Sequence, residues 1–360
     1  MSVFAQLASR KDCPRADTAG PVVIMTRIRL ARNLRDCFFP DRADAQMRAH
    51  IRERCEKALG SLPAFKGGLV FDIERLNEWD KDVLVESHLI SRELAQAKPG
   101  ASVFISKDCN ACVMVNEEDH LRMQFLRAGL QFKQAYKNAE QLDKALEKKL
   151  DFAFSDELGY LTACPTNVGT GLRGSALMHL PGLVLSGQME KVVRAVSLLG
   201  MTVRGLSGEG SEAHGSMFQI SNQQTLGEKE TQILQHIEAV LGTIVEQEEN
   251  ARLRLIEDSP EKLFDKIGRC YGTLRHAHVL TSSEALNFLS LIRLAADLNI
   301  LPPEKRPALD ELIVQVQPGH LRGIVGSQSM PPAQRDIARA AFLRERMKAF
   351  PEPDFSKAGL

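Results

Sequence analysis

The order of apolar and polar positions divides the chain into a mixed first part and a helical second part. Residues 22–30 alternate with a period of two, which predicts a strand carrying Arg27 and Arg29 on one face. Residues 44–59 have helical spacing, 69–73 read as a short strand, and a helix follows near 81–95. Residues 102–106 and 111–116 read as adjacent strands. His120, Arg122 and Gln124 alternate with Leu121, Met123 and Phe125, so a strand with Arg122 on its polar face is expected. The lysine-rich stretch 131–150 predicts a solvated helix between strands, and 201–206 and 217–221 predict strands around a glycine-rich loop.

Residues 227–254 predict a long amphipathic helix with Ile233, Ile237, Val240 and Ile244 on one stripe and Glu228 and Glu230 in its first turn. Ser259-Pro260-Glu261 then starts a new segment, an N-cap followed by proline at the first helical position. From there to Phe350 the pattern is helical, with a capping box at Thr281-Ser282-Ser283-Glu284. The expected fold class is α+β. A mostly antiparallel sheet with flanking helices occupies 22–255, an all-helical C-terminal domain occupies 256–360, and 1–21 form an N-terminal extension.

Charge changes this picture little. Lys+Arg and Asp+Glu each number 46, so nothing global favours nucleic acid or an anionic membrane as partner. The first twenty residues hold no apolar signal core, and no run approaches the ~20 apolar residues of a membrane span, so a cytoplasmic protein is expected. Cys109-Asn110-Ala111-Cys112 lacks the second pair or nearby histidines of a zinc site and runs into an apolar strand. Plain buried thiols are expected there.

Candidate chemistry lies in four charged stretches: Thr26-Arg27-Ile28-Arg29, Asn116 to Arg122, Cys164 to Arg173, and Arg204 to Gly210. Arginines from several places suit a polyphosphate, because the guanidinium is always charged and forks onto phosphate oxygens. Glu118 and Glu209 beside them suit a second, cationic substrate. Taken singly, each stretch is an ordinary strand face, solvated turn or hairpin loop. Their conjunction points to phosphoryl transfer onto a basic nucleophile. Gly169-Thr170-Gly171-Leu172-Arg173-Gly174 fits the dinucleotide fingerprint in spelling only, since Pro165 precedes it and Pro181 cuts short the run after it. No P-loop or protein-kinase signature occurs. Arg335 and Arg339, four apart, share a helical face and suit a phosphate, with Asp336 free to hold a guanidinium; an ordinary charged helix surface has the same spacing.

These stretches, with Gln219-Ile220-Ser221-Asn222-Gln223, resemble the catalytic domain of phosphagen (guanidino) kinases over about 22–249. Two features resemble the bacterial protein-arginine kinase branch. Only a short run precedes Thr26, where small-molecule relatives carry a helical domain, and Arg335-Asp336-Ile337-Ala338-Arg339-Ala340 stands in a helical C-terminal extension. The resemblance implies ATP-binding positions at Arg27, Ile28, Arg29, Leu30, Ala31, His88, Arg122, Arg173, Gly174, Ser175, Ala176, Leu177 and Arg204, continuing through Gly205, Leu206, Ser207, Gly208 and Glu209. It implies guanidine-binding carboxylates at Glu118 and Glu209, a reactive cysteine at Cys164, and an allosteric phosphoarginine site at Arg335, Asp336 and Arg339. Met25 departs from the serine common in relatives, and Gly174 from their alanine.

The chemistry asked of these residues is specific. Arginine is protonated at physiological pH. The enzyme must therefore bind a cation, align one nitrogen with the γ-phosphorus and accept a proton. Glu118 as base and Glu209 as orienting partner meet that need, though the roles can be exchanged. ATP and Mg²⁺ are the implied cofactors, the metal held mainly through the nucleotide, so no protein ligand to it is named. The implied partners are proteins presenting arginine, a second copy in a homodimer, an activator protein and a Clp ATPase, with no nucleic acid or membrane. A small-guanidine kinase and an inactive phosphoarginine-binding adaptor remain alternatives.

Overall fold

The computed structural model describes residues 2–10, 19–205, 213–327 and 329–358. The chain forms two compact units, one built chiefly from Met25–Ala176 with Ser221–Ala239, the other from Leu177–Ile220 with Val240–Leu360 and the segment before Met25.

The first unit contains α1 (Val3–Ala8), β1 (Val23–Arg32), α2 (Ala45–Gly60), β2 (Leu69–Asp72), α3 (Glu78–Glu86), α4 (Arg92–Ala95), β3 (Ser102–Ile105), β4 (Ala111–Val115), β5 (Leu121–Ala128), α5 (Phe132–Glu147), a β6–β7 hairpin (Phe154–Ser155, Gly159–Tyr160) and most of β8 (Leu172–His179). The second holds α6 (Pro181–Leu185), α7 (Met189–Leu198), β9 (Met201–Gly205), most of β10 (Met217–Asn222) and the C-terminal part of α8 (Glu230–Asp258). It continues through α9 (Pro260–His276), α10 (Ser282–Asp297), α11 (Arg306–Gln315), α12 (Pro318–Val325) and α13 (Pro332–Met347). The strand order is β2-β3-β4-β5-β1-β8-β10-β9. β2-β3, β3-β4, β4-β5 and β1-β5 pair antiparallel, as the α+β expectation requires. No helix among the described residues is long and apolar enough to cross a membrane.

Alternation sets which face of each strand is buried. On β1, Ile28 and Leu30 are buried while Arg27 and Arg29, between them, face the other way. By the strand registers Val103, Ile105, Cys112 and Met114 lie on the same face as Arg29 and Arg122, and with Val83, Leu84 and Leu94 they form one core cluster.

Three expectations change. The helix expected near 81–95 is two helices, because His88 takes φ 58° and ends the first; left-handed backbone cannot continue a right-handed helix. The helix expected to be solvated, α5, buries Phe132, Ala135, Ala139, Leu142 and Leu146, one apolar stripe under a lysine-rich face. Cys112 is a free buried thiol, pushed up to about 12 by desolvation, whereas Cys109 stands in a disulfide. Gly174 also finds its reason: a Cβ there would lie 2.7 Å from Ile237 Cδ1 and 3.1 Å from Phe132 Cε1.

In the second unit a buried ionic group holds the segment leading to β1. Arg293 donates to Asp310 at 2.6 Å and to the carbonyls of Pro21 and Gly20 at 2.7 and 2.9 Å. Arg252 joins Glu248 at 2.6 Å to Asp297 at 3.0 Å. Charges so deep are sustained only by mutual pairing.

Candidate active site

The β1–β5 register sets Arg27 opposite Leu126, Arg29 opposite Gln124 and Ala31 opposite Arg122. Arg27, Arg29 and Arg122 therefore share one face of the sheet, the guanidiniums of neighbouring strands lying within reach of one another. β8 adds Arg173 and Ser175. Arg27 Nε donates to Ser175 Oγ at 3.3 Å, and Arg173 Nη2 donates to Ser221 Oγ at 3.3 Å.

Four cations this close strain one another. Burial first, then the charge of Arg122, lowers Arg27 to about 10. Arg29 falls well below its ordinary value through burial and the charges of Arg27, Arg122 and Arg173. Arg29 Nε is buried and has no hydrogen-bond partner among the described residues. For Arg122, burial is the largest single cause and works downward, but the charge and hydrogen bond of Glu117, joined by the charges of Glu93 and Glu118, together hold the guanidinium above its ordinary value.

The β4–β5 turn presents three acids in a row with three different environments. Glu117 is buried and accepts from Arg122 Nη1 at 2.7 and 2.6 Å and from the Ser91 hydroxyl. Asp119, also buried, accepts from Asn33 Nδ2 at 2.6 Å and from Ala163 N at 2.7 Å. Between them Glu118 is exposed, and among the described residues nothing donates a hydrogen bond to its carboxylate. Partial desolvation, then the charge of Asp119, raises its pKa above the ordinary carboxylate range. The turn is stiff: Asn116 takes φ 57°, and its Nδ2 donates to Arg48 O and Gly100 O, both at 2.9 Å. His120 closes it, its Nδ1 accepting from Leu34 N at 2.9 Å, so that Nε2 carries the proton toward Phe38 O at 2.9 Å. Burial holds this imidazole below its ordinary pKa.

Ala163, which binds Asp119, precedes Cys164, so the acidic turn and the cysteine loop are tied together. Cys164 is partly exposed with Sγ 3.0 Å from Thr166 Oγ1. His88 O accepts from Gln124 Nε2 at 2.7 Å, which brings its backbone to the strand position facing Arg29.

The structure thus gathers Arg27, Arg29, Arg122, Arg173 and Ser175, with Glu118 and Cys164 on loops of the same unit. Ile28, Leu30 and Ala176 are buried, as is Gly174, so these positions can meet a nucleotide only through backbone. Leu177, Arg204 and Gly205 belong to the second unit, where Arg204 is exposed on β9. Leu206, Ser207, Gly208 and Glu209 lie outside the described residues. At the C-terminus one expectation is corrected. Asp336 is not free, since it accepts from Arg339 Nη1 at 2.6 Å. Arg339 is buried and also donates to the carbonyls of Val316 and Leu280, both at 2.8 Å, while Arg335 donates to Met330 O at 3.3 Å. Val316 caps the C-terminus of α11, where carbonyls are left without intrahelical partners, and these bonds take Arg339 out of the shared surface face.

Sequence reasoning missed the supporting residues Asn33, Ser91, Glu117 and Asp119. The pairing of Glu117 with Arg122 had a faint signal: opposite charges flanking a short turn between two strands.

Comparison with known proteins sets the class first. Residues 50–251 match the family model of the ATP:guanido phosphotransferase C-terminal catalytic domain, enzymes whose fold pairs a nucleotide with a guanidine. Lombricine kinase has that fold at a TM-score of 0.56, with 22% identity over 65% of this chain and 70% of that one. The duplicated taurocyamine kinase of Schistosoma mansoni, with bound transition state analog components, gives 0.60 and 23% identity over 82% and 49%. Residues 260–358 match the protein-arginine kinase McsB C-terminal domain. The protein-arginine kinase of Halothermothrix orenii is 42% identical over 91% of this chain and 93% of its own length. That of Symbiobacterium thermophilum is 42% identical over 96% and 99%. The chain belongs to the protein-arginine kinase family.

Proposed function

We propose that this chain transfers the γ-phosphate of ATP to arginine side chains of proteins. The observation that carries the reading is the sheet face of Arg27, Arg29, Arg122 and Arg173, whose mutual repulsion a polyphosphate relieves, beside the exposed carboxylate of Glu118. The unbonded Arg29 Nε fits a phosphate oxygen as acceptor. Close relatives over nearly the whole chain carry the same activity in their names.

In this reading the arginine face holds the phosphates, and His88 and Arg204 are further proposed nucleotide-binding positions. Catalysis is chiefly positioning and charge stabilisation. Glu118 binds the incoming guanidinium and takes the proton as the N–P bond forms and the bond from γ-phosphorus to the bridging oxygen breaks, releasing ADP. A raised pKa suits a base that must accept that proton. Glu209 is the orienting partner. Mg²⁺ would supply neutralising charge on the phosphates when bound and would be held mainly through them. Cys164 flanks the reaction without entering it, since in-line transfer needs no phosphocysteine.

The wider setting belongs to the same proposal: a cytoplasmic homodimer joined through a C-terminal domain that begins near residue 256, an activator protein, and marked proteins passed to a Clp-type protease. Arg335, Asp336 and Arg339 are the proposed phosphoarginine receptor, a reading that needs Arg339 to leave Asp336 and the carbonyls of Val316 and Leu280.

Incubation with ATP and an unfolded protein, followed by mass spectrometry at neutral pH, tests the central reading. Phosphoarginine on the protein is expected. Phosphorylation of free arginine alone would make this a small-guanidine kinase, and product-free binding of phosphoarginine an adaptor. Glu118→Gln keeps the shape of the side chain but not its basicity, so turnover should fall ~10²–10⁴-fold with ATP affinity retained. Retention of a tenth of the activity would remove Glu118 from the role of base.

A further inference from the structure

Phe38 is 67% exposed, the most exposed aromatic side chain among the large apolar residues of the described chain. A single exposed phenylalanine on a loose loop means little. This one is not on a loose loop. Its carbonyl accepts the His120 Nε2 proton at 2.9 Å, and His120 stands two residues after Glu118 in the same stiff turn. The next ring, Phe39, packs edge-on against the His120 imidazole at 6.1 Å between centroids. On the other side, Asp36 is fixed by Arg54 Nη1, 2.9 Å from each carboxylate oxygen, and Pro40 is buried. The backbone is thus held on both sides, tied through His120 to the turn that carries Glu118, while the ring is exposed to solvent.

The neighbouring segment has the same character. Asn33 O accepts from Ala153 N at 2.8 Å, and Asn33 Nδ2 donates to Leu161 O at 3.1 Å, which seats the β6–β7 hairpin against the root of the Phe38 loop. That hairpin exposes Phe154 and Leu158 with Asp156 and Glu157 between them. Apolar rings and leucine beside carboxylates that have no ion pair among the described residues fit a polypeptide in which a cationic side chain is followed or preceded by an apolar one. The Phe38 carbonyl is bonded to His120, two residues from Glu118, so an extended chain, which advances about 3.3–3.6 Å per residue, with its acceptor arginine at Glu118 would carry its flanking residues toward the Phe38 loop.

We propose that Phe38 is a specificity residue that selects acceptor arginines flanked by large apolar side chains in an extended polypeptide segment. This inference rests on the protein-arginine kinase reading and adds to it a rule of sequence context.

The test uses the full-length chain, ATP, and two otherwise identical unfolded polypeptides whose single arginine is flanked on both sides by leucine or by glycine. Wild type should show a kcat/KM about tenfold higher on the leucine-flanked substrate, in the range a hydrophobic contact supplies. Phe38→Ala should bring the ratio of the two close to one, mostly through KM, and Phe38→Trp should restore it. A wild type without preference, or a Phe38→Ala ratio equal to wild type, overturns the inference while the functional reading stands. If wild type phosphorylates neither polypeptide nor any other protein, the functional reading fails first and this one with it. Unchanged ATP affinity and melting temperature in Phe38→Ala exclude a folding defect as the cause of a changed ratio.

Discussion

Glu117, Glu118 and Asp119 are alike in the sequence and unlike in the fold, because their neighbours differ. Glu117 is spent on Arg122 and Ser91, Asp119 on Asn33 and Ala163, and Glu118 is left exposed. The charge of Asp119 is the second cause, after desolvation, that raises the pKa of Glu118. Removing that charge favours the ionised form of Glu118 and lowers its pKa. Asp119→Asn, which can still accept through its amide oxygen, should therefore move the acid limb of the pH–rate profile to lower pH; a limb that stays in place or rises would contradict the coupling. Arg122 and Arg204 separate in the same way. Arg122→Ala strands the buried Glu117, so it should cost about 3 kcal/mol of stability as well as nucleotide affinity. Arg204 is exposed, so Arg204→Ala should weaken nucleotide binding with an unchanged melting temperature. Equal thermal shifts in the two variants would refute the distinction. The sequence made Glu118 and the arginines visible as charges in unusual places. It did not reveal which acid was free, because that depends on donors at Asn33, Ser91 and Ala163, far away along the chain.

Strands were the most legible elements, since a period of two with charge on one face leaves few alternatives, and β1, β3, β4, β5, β9 and β10 fall close to their expected positions. The break between α3 and α4 was not legible, because left-handed backbone at His88 leaves no mark in composition. Nor was the burial of Arg339, whose helical spacing is that of a surface residue. The hinge between elements that matters most here is Asn33. It follows β1 and bonds at once to Asp119, to His120 N at 2.9 Å and to Leu161 O, so one amide joins a strand end, the acidic turn and the hairpin segment. Asn33→Ala should lower kcat about 10²-fold through misplacement of Glu118 while ATP affinity changes less than twofold. Circular dichroism and nucleotide titration against wild type check this; an equal loss of nucleotide affinity would mean that the whole site, rather than the turn, had been disturbed.

For the whole molecule, the proposed phosphoarginine receptor is best tested away from Arg339, whose loss would unseat the carbonyls of Val316 and Leu280 and confuse regulation with unfolding. Arg335→Ala should leave basal turnover and melting temperature in place and remove stimulation by free phosphoarginine, a coupling usually worth ~1–3 kcal/mol, or about 5–150-fold. An undiminished response would return α13 to an ordinary surface helix. A last consequence follows from the strand pairing that sets Arg29 against Gln124 and Arg27 against Leu126. Slipping β1 by one position would turn its guanidiniums into the apolar interior and bring Ile28 and Leu30 out in their place. A chain with that error has no partial activity to offer. Damage by heat or mild denaturant should thus subtract molecules rather than dim them. As activity declines, counted nucleotide-binding sites should decline in step, and each surviving site should keep the turnover and the Michaelis constant of fresh enzyme.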